Sequence, residues 1–95
     1  KTTDIRYVEI MRHVLVFHLG DEEVKATGTL LSLQKELEGE CFSMCNRCYF
    51  VNLAFVAAVQ GQVCVLDGAE LQISRAKRKT FLKDLNDYVA MTGRK

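Results

Sequence analysis

Turn-forming pairs fall at short intervals along this chain, at Gly20-Asp21, Gln60-Gly61 and Asp67-Gly68. The apolar runs between and beside them are mostly strand-sized, which constrains the fold to hairpins. FVAAV, QVCVL and AELQI, separated by the last two turns, predict a three-stranded meander from Phe55 to Ile73. HVLVFHL, from His13 to Leu19, is nearly continuous in apolar residues and predicts a strand buried on both sides. A strand from Asp4 to Ile10 precedes it, and EEVKATG, from Glu22 to Gly28, returns as the second arm of a hairpin.

Two segments change period. Leu30, Leu33 and Leu37 predict a short helix capped by Thr29 and stopped by Gly39. Phe81, Leu82, Leu85, Tyr88 and Val89 fall on one face of a terminal helix with Ser74 as its cap. The sum is about eight strands with one short internal and one terminal helix, a mainly β domain. At 95 residues the chain has room for one core. Hydrophobic residues at 48% and charged residues at 26% exclude disorder. The longest apolar run, Leu53 to Val59, is too short to cross a bilayer, and no signal peptide is seen. The abrupt polar start predicts a domain cut from a longer, cytoplasmic protein.

The stretch CFSMCNRCYFVN, from Cys41 to Asn52, is the most informative. Tyr49, Phe50 and Val51 favour a strand, so Arg47 sits at or beside a strand end. There it is placed either to read an anion or to lie solvated in a hairpin. Asn52 is expected to bond turn backbone through its amide. The net charge of +1 says little, but its distribution says more. Between Gln72 and Lys83 stand Arg75, Lys77, Arg78, Lys79 and Lys83, with no acid among them. Cations in the first turns of a helix oppose its dipole, so this patch either presents a positive helix start to an external anion or is a basic solvated face. Basic residues without an exposed aromatic platform suit duplex backbone better than single strands.

The four cysteines, Cys41, Cys45, Cys48 and Cys64, invite three readings. Their spacing approaches that of a zinc site, but strand alternation opposes a tetrahedral cluster, and reduced, apolar-like thiols with no metal are expected. A redox switch is the third: Cys45 and Cys48 flank Arg47, so oxidation would displace it, provided a thiol has a lowered pKa. An enzyme is disfavoured. His13 and His18 project to opposite faces of one strand, and no nucleophile motif, phosphate loop or carboxylate pair accompanies them. A protein-interaction module docking an acidic partner through the basic patch is the competing non-enzyme class.

FSMCNRCYFVN, then LAFVAAV, then LDGAELQISRAKRKTFLKDL, preceded by DIRYVE and SLQKELEGE, resembles the LytTR DNA-binding domain in the same order. The resemblance covers nearly all of residues 1–95 and lacks only the strand that usually precedes the Asp-Ile-x-Tyr segment. It implies an elongated antiparallel β-sandwich whose loops enter successive major grooves. It also implies the output half of a bacterial two-component response regulator, behind a receiver or other regulatory domain. The expected partner is double-stranded DNA with paired direct repeats, bound by a possible dimer, with no cofactor and no small-molecule substrate. His13, Arg47 and Arg75 match the family's base-reading positions, and Lys77, Arg78 and Lys79 are expected to grip phosphates. Met44 and Asn46 depart from the arginine and histidine common in the family. Asn46 is expected to assist by reading adenine. Cys48 replaces a common serine.

Overall fold

The computed structural model describes residues 4–37, 40–66 and 68–92. Among them lie eight strands: β1 (Tyr7–Met11), β2 (Val14–Leu19), β3 (Glu22–Thr27), β4 (Phe42–Asn46), β5 (Tyr49–Asn52), β6 (Val56–Gln60), β7 (Val63–Leu66) and β8 (Ala69–Gln72). Two helices, α1 (Leu30–Glu36) and α2 (Arg75–Thr92), complete the chain. A five-stranded antiparallel sheet has the order β3-β2-β1-β5-β4, and a three-stranded sheet has the order β6-β7-β8. The longest axis is 35 Å against 27 and 25 Å.

Alternation along the strands divides the large sheet into two apolar faces. Val8, Leu15 and Phe50 point to one side, where Leu33 and Leu37 from the α1 segment cover them. Val51 and Cys45 point to the other, against Cys64, Leu66, Leu71, Ile73 and Phe81 from the small sheet and α2. Neighbouring Leu15 and Val16 are therefore both buried, which explains the continuous apolar run of β2. β3 has no outer neighbour. Every residue in it is exposed, and Glu22, Glu23 and Lys25 blunt that open edge.

The expected caps form. Ser32 N–H donates to the Thr29 hydroxyl at 3.2 Å, and Lys77 N–H donates to the Ser74 hydroxyl at 3.2 Å. The Gly39 stop lies outside the described residues, as does Asp67 of the Asp67-Gly68 turn. Two boundaries are corrected. The first strand begins at Tyr7 and not at Asp4. Phe55 does not start a strand, because Leu53–Phe55 forms a 3₁₀ turn and β6 begins at Val56. Asn52 is the cause: its side-chain oxygen accepts Ala54 N–H at 3.0 Å, capping the turn. Its amide nitrogen donates to the Ile5 carbonyl at 2.8 Å, fastening the segment before β1 to the end of β5.

Both ends of the Asn52 amide are thus committed in a buried setting. Asn52→Ala would leave the Ile5 carbonyl without that donor, and we expect a loss of about 1–3 kcal/mol of stability. Urea unfolding followed by circular dichroism measures it.

Candidate nucleic-acid interface

The turns that bear His13 and Arg47 lie at one end of the large sheet. Register shows why. β1 pairs with β5 so that Glu9 faces Tyr49, and Ile10 N–H then donates to the Cys48 carbonyl at 2.7 Å. The β1–β2 turn and the β4–β5 turn therefore lie side by side. The first exposes Arg12 and His13, and the second exposes Arg47 and Cys48. Gly28 N–H donates to the His13 carbonyl at 2.8 Å, tying the first turn to the end of β3.

A third segment joins them through a corner that sequence periodicity does not announce. The β4–β5 register shifts between Met44 and Asn46, leaving Cys45 as a bulge. The Cys45 carbonyl accepts Ser74 N–H at 2.8 Å, just before α2. Asn46 Nδ2 donates to the Gln72 carbonyl at 2.6 Å, and the Cys45 thiol donates to the same carbonyl at 3.6 Å. This corner carries the start of α2, and with it Arg75, to the sheet end that holds Arg47. Farther along, Ser43 Oγ donates to Asp84 Oδ2 at 2.7 Å, fixing α2 against β4.

Not every expected residue is equally available. Arg75, Lys77 and Lys79 are exposed. Arg75, Arg78 and Lys79 line one open depression on α2, with Leu82, Lys83, Asn86 and the acid Asp87, while Lys77 lies off that stripe. Arg78 Nη2 donates to the Gly61 carbonyl at 3.1 Å, which braces the β6–β7 turn where Gly61 takes a positive φ of 62°. Part of its guanidinium fork is left for a ligand. Lys83 is paired with Asp87 at 3.0 Å, and that carboxylate raises its pKa.

Asn46 departs furthest from expectation. Its oxygen accepts Cys48 N–H at 2.7 Å while its nitrogen serves Gln72, so the pairing edge needed to read adenine is turned inward. It shapes the turn that presents Arg47. Burial weighs against the redox reading at Cys45. Cys45 is fully buried, and burial, with a smaller contribution from neighbouring Cys64, pushes its thiol up to about 12. An oxidisable thiolate requires the opposite shift. Burial likewise pushes Cys64 up to about 11. Among the described residues no group of three or more His, Cys, Asp or Glu side chains is disposed to hold a metal ion. No described helix is long and apolar enough to cross a membrane.

Arg12 was not anticipated as a site residue. Its φ is 59°, and it is the one non-glycine among the described residues with a positive φ. A turn scan seeks glycine or asparagine at such positions, so an arginine there leaves no signal.

Comparison with known proteins gives the family of the chain. A family model for the LytTr DNA-binding domain matches residues 1–86. The chain belongs to the LytTR family. A search of curated proteins finds no match. Among solved structures it is similar to the LytTr DNA-binding domain of a Bacillus cereus protein described as a methyl-accepting/DNA response regulator. That likeness has a TM-score of 0.77 at 17% identity, over 87% of this chain and 82% of the other. The LytTR fold is thus kept while most side chains differ.

Two predictions follow from local geometry in this LytTR domain. Arg12→Gly relieves the left-handed strain and should raise stability by about 1 kcal/mol in thermal or urea unfolding. Iodoacetamide near pH 8 should label Cys48 in the folded domain, with Cys45 and Cys64 reacting only after unfolding, as read by peptide mass spectrometry. The raised thiol values also fix a sign. Unfolded thiols ionise near 9 and the folded Cys45 near 12, so stability falls as pH rises across that window.

Proposed function

We propose that this domain binds duplex DNA sequence-specifically as the output module of a bacterial response regulator. Backbone links between three segments carry the reading: the turns bearing His13 and Arg47 lie side by side, and the Ser74–Cys45 bond brings in the segment that leads to Arg75 and the basic stripe of α2. A rigid support for base-reading groups flanked by phosphate-binding groups is what duplex recognition requires. The family supports DNA as the ligand.

In this account Arg75, Arg47 and His13 face base edges in the major groove. Arginine is suited to a bidentate contact with guanine, about 1–3 kcal/mol of discrimination each. Lys79, Lys77 and the unengaged donors of Arg78 grip phosphates on either side and supply most of the affinity. The positive end of the α2 dipole adds to the same field. Asn46 acts as a positioning residue: it holds the Arg47 turn on the Gln72–Ser74 segment. The proposal extends to a receiver or other regulatory domain upstream, and to paired direct repeats filled by two copies.

Anisotropy binding to duplexes selected from a random pool, at several salt concentrations, tests this. Arg75→Ala should weaken the selected duplex at least tenfold and flatten preference at one position. Lys79→Ala should weaken all duplexes alike and lower the salt slope by about 1. A salt-independent response with no enriched motif would leave only a protein-docking role for this surface.

A further inference from the structure

We propose that the tip of the β1–β2 hairpin holds an apolar reader of thymine methyl groups, formed by Met11 and Val14. The inference rests on the duplex-binding reading and adds to it a base identity. Met11 is 53% exposed and Val14 is 40% exposed, and both are strand residues away from the open β3 edge of the sheet. They are direct cross-strand partners, the last pair before the turn. Cross-strand partners project from the same face, so the two side chains make one small patch instead of two scattered exposures. The other large exposed apolar residues, Val24, Leu31 and Met91, sit singly on β3, α1 and the end of α2.

What surrounds the patch narrows its occupant. Arg12 and His13 form the turn itself, and Arg47 lies on the adjoining turn. An apolar pair set among cations fits a polyanion that presents apolar points. Duplex DNA is such a ligand: in its major groove the C5 methyl of thymine is the apolar feature that distinguishes one base edge from another. The thioether of Met11 adapts to a methyl group, and Val14 gives it a stiff neighbour. The turn is tight, with Arg12 and His13 between the paired Met11 and Val14, and Arg12 holds its φ of 59° there. The tip is therefore a defined protrusion that can enter a groove. A salt-bridging role alone would leave Met11 and Val14 without a purpose.

The test removes the methyl group from the DNA and its contact from the protein independently. Each thymine of a selected duplex is replaced in turn by deoxyuridine, and affinity is read by anisotropy for the wild-type domain and for Met11→Ala/Val14→Thr. For the wild type, one or two positions should lose about three- to fivefold, the worth of one buried methyl group. In the double variant those same substitutions should have no effect, while the salt slope stays unchanged because no phosphate contact is lost. Both side chains are exposed, so circular dichroism should show the variant folded. If the wild type selects a motif but no deoxyuridine position separates it from the variant, the methyl reader is overturned and the duplex reading survives. If the wild type selects no duplex motif at all, both fall. Loss of an acidic protein ligand in the variant, without any deoxyuridine effect, would overturn the proposal in favour of a protein contact.

Discussion

The corner at Cys45 and Asn46 is the interaction on which the rest depends. A bulge frees the Cys45 carbonyl from its strand and gives it to Ser74, while the Asn46 amide and the Cys45 thiol both hold the Gln72 carbonyl. These bonds join the large sheet to the small one at the point where α2 begins. Without them Arg47 and Arg75, 28 positions apart by their numbers, would have no fixed relation. The corner lies against the shared core of Cys45, Cys64, Ile73 and Phe81, all with no exposed surface. Packing of those side chains holds the strands that carry the junction, whose Asn46–Gln72 bond is itself exposed.

The charges follow the same design. Several acids have local partners, although Asp87 itself lines the depression that holds Arg75, Arg78 and Lys79. Asp84 accepts from Ser43, Asp87 pairs with Lys83, and Glu9 and Glu23 approach His18 within 3.5 and 3.8 Å. His18 in turn stacks on Tyr7, with ring centroids 4.2 Å apart, away from the turn that bears His13. The net charge of +1 thus averages over the basic run from Arg75 to Lys83 and acids that stand before and after it in the chain.

Much of this was legible in the sequence because it depends on neighbours along the chain. Strand runs, the Thr29 and Ser74 caps and the local bond of Asn52 each follow from residues a few positions apart. The pairing of β1 with β5 does not, since period-2 alternation fixes which face a residue takes and not which strand lies beside it. The Cys45 bulge and the Asn46–Gln72 bond span 26 positions and leave no local mark. For that reason the sequence offers Asn46 as a base contact, whereas the fold engages both ends of its amide with backbone. The clustered cysteines misled in a related way. Their closeness in sequence suggests joint chemistry, but the folded chain buries Cys45 and leaves Cys48 exposed. Arg12 shows a further limit, because strain held by an arginine in a turn has no compositional signature.

We propose that one surface, assembled from three chain segments, meets the DNA. An amide chemical-shift titration of the ¹⁵N-labelled domain with its selected duplex tests this most directly. The prediction is that perturbed amides cluster at residues 11–14, 46–48 and 74–79, while β3 and the end of α2 stay unchanged. Perturbation confined to α2, or spread along β3, would contradict the account.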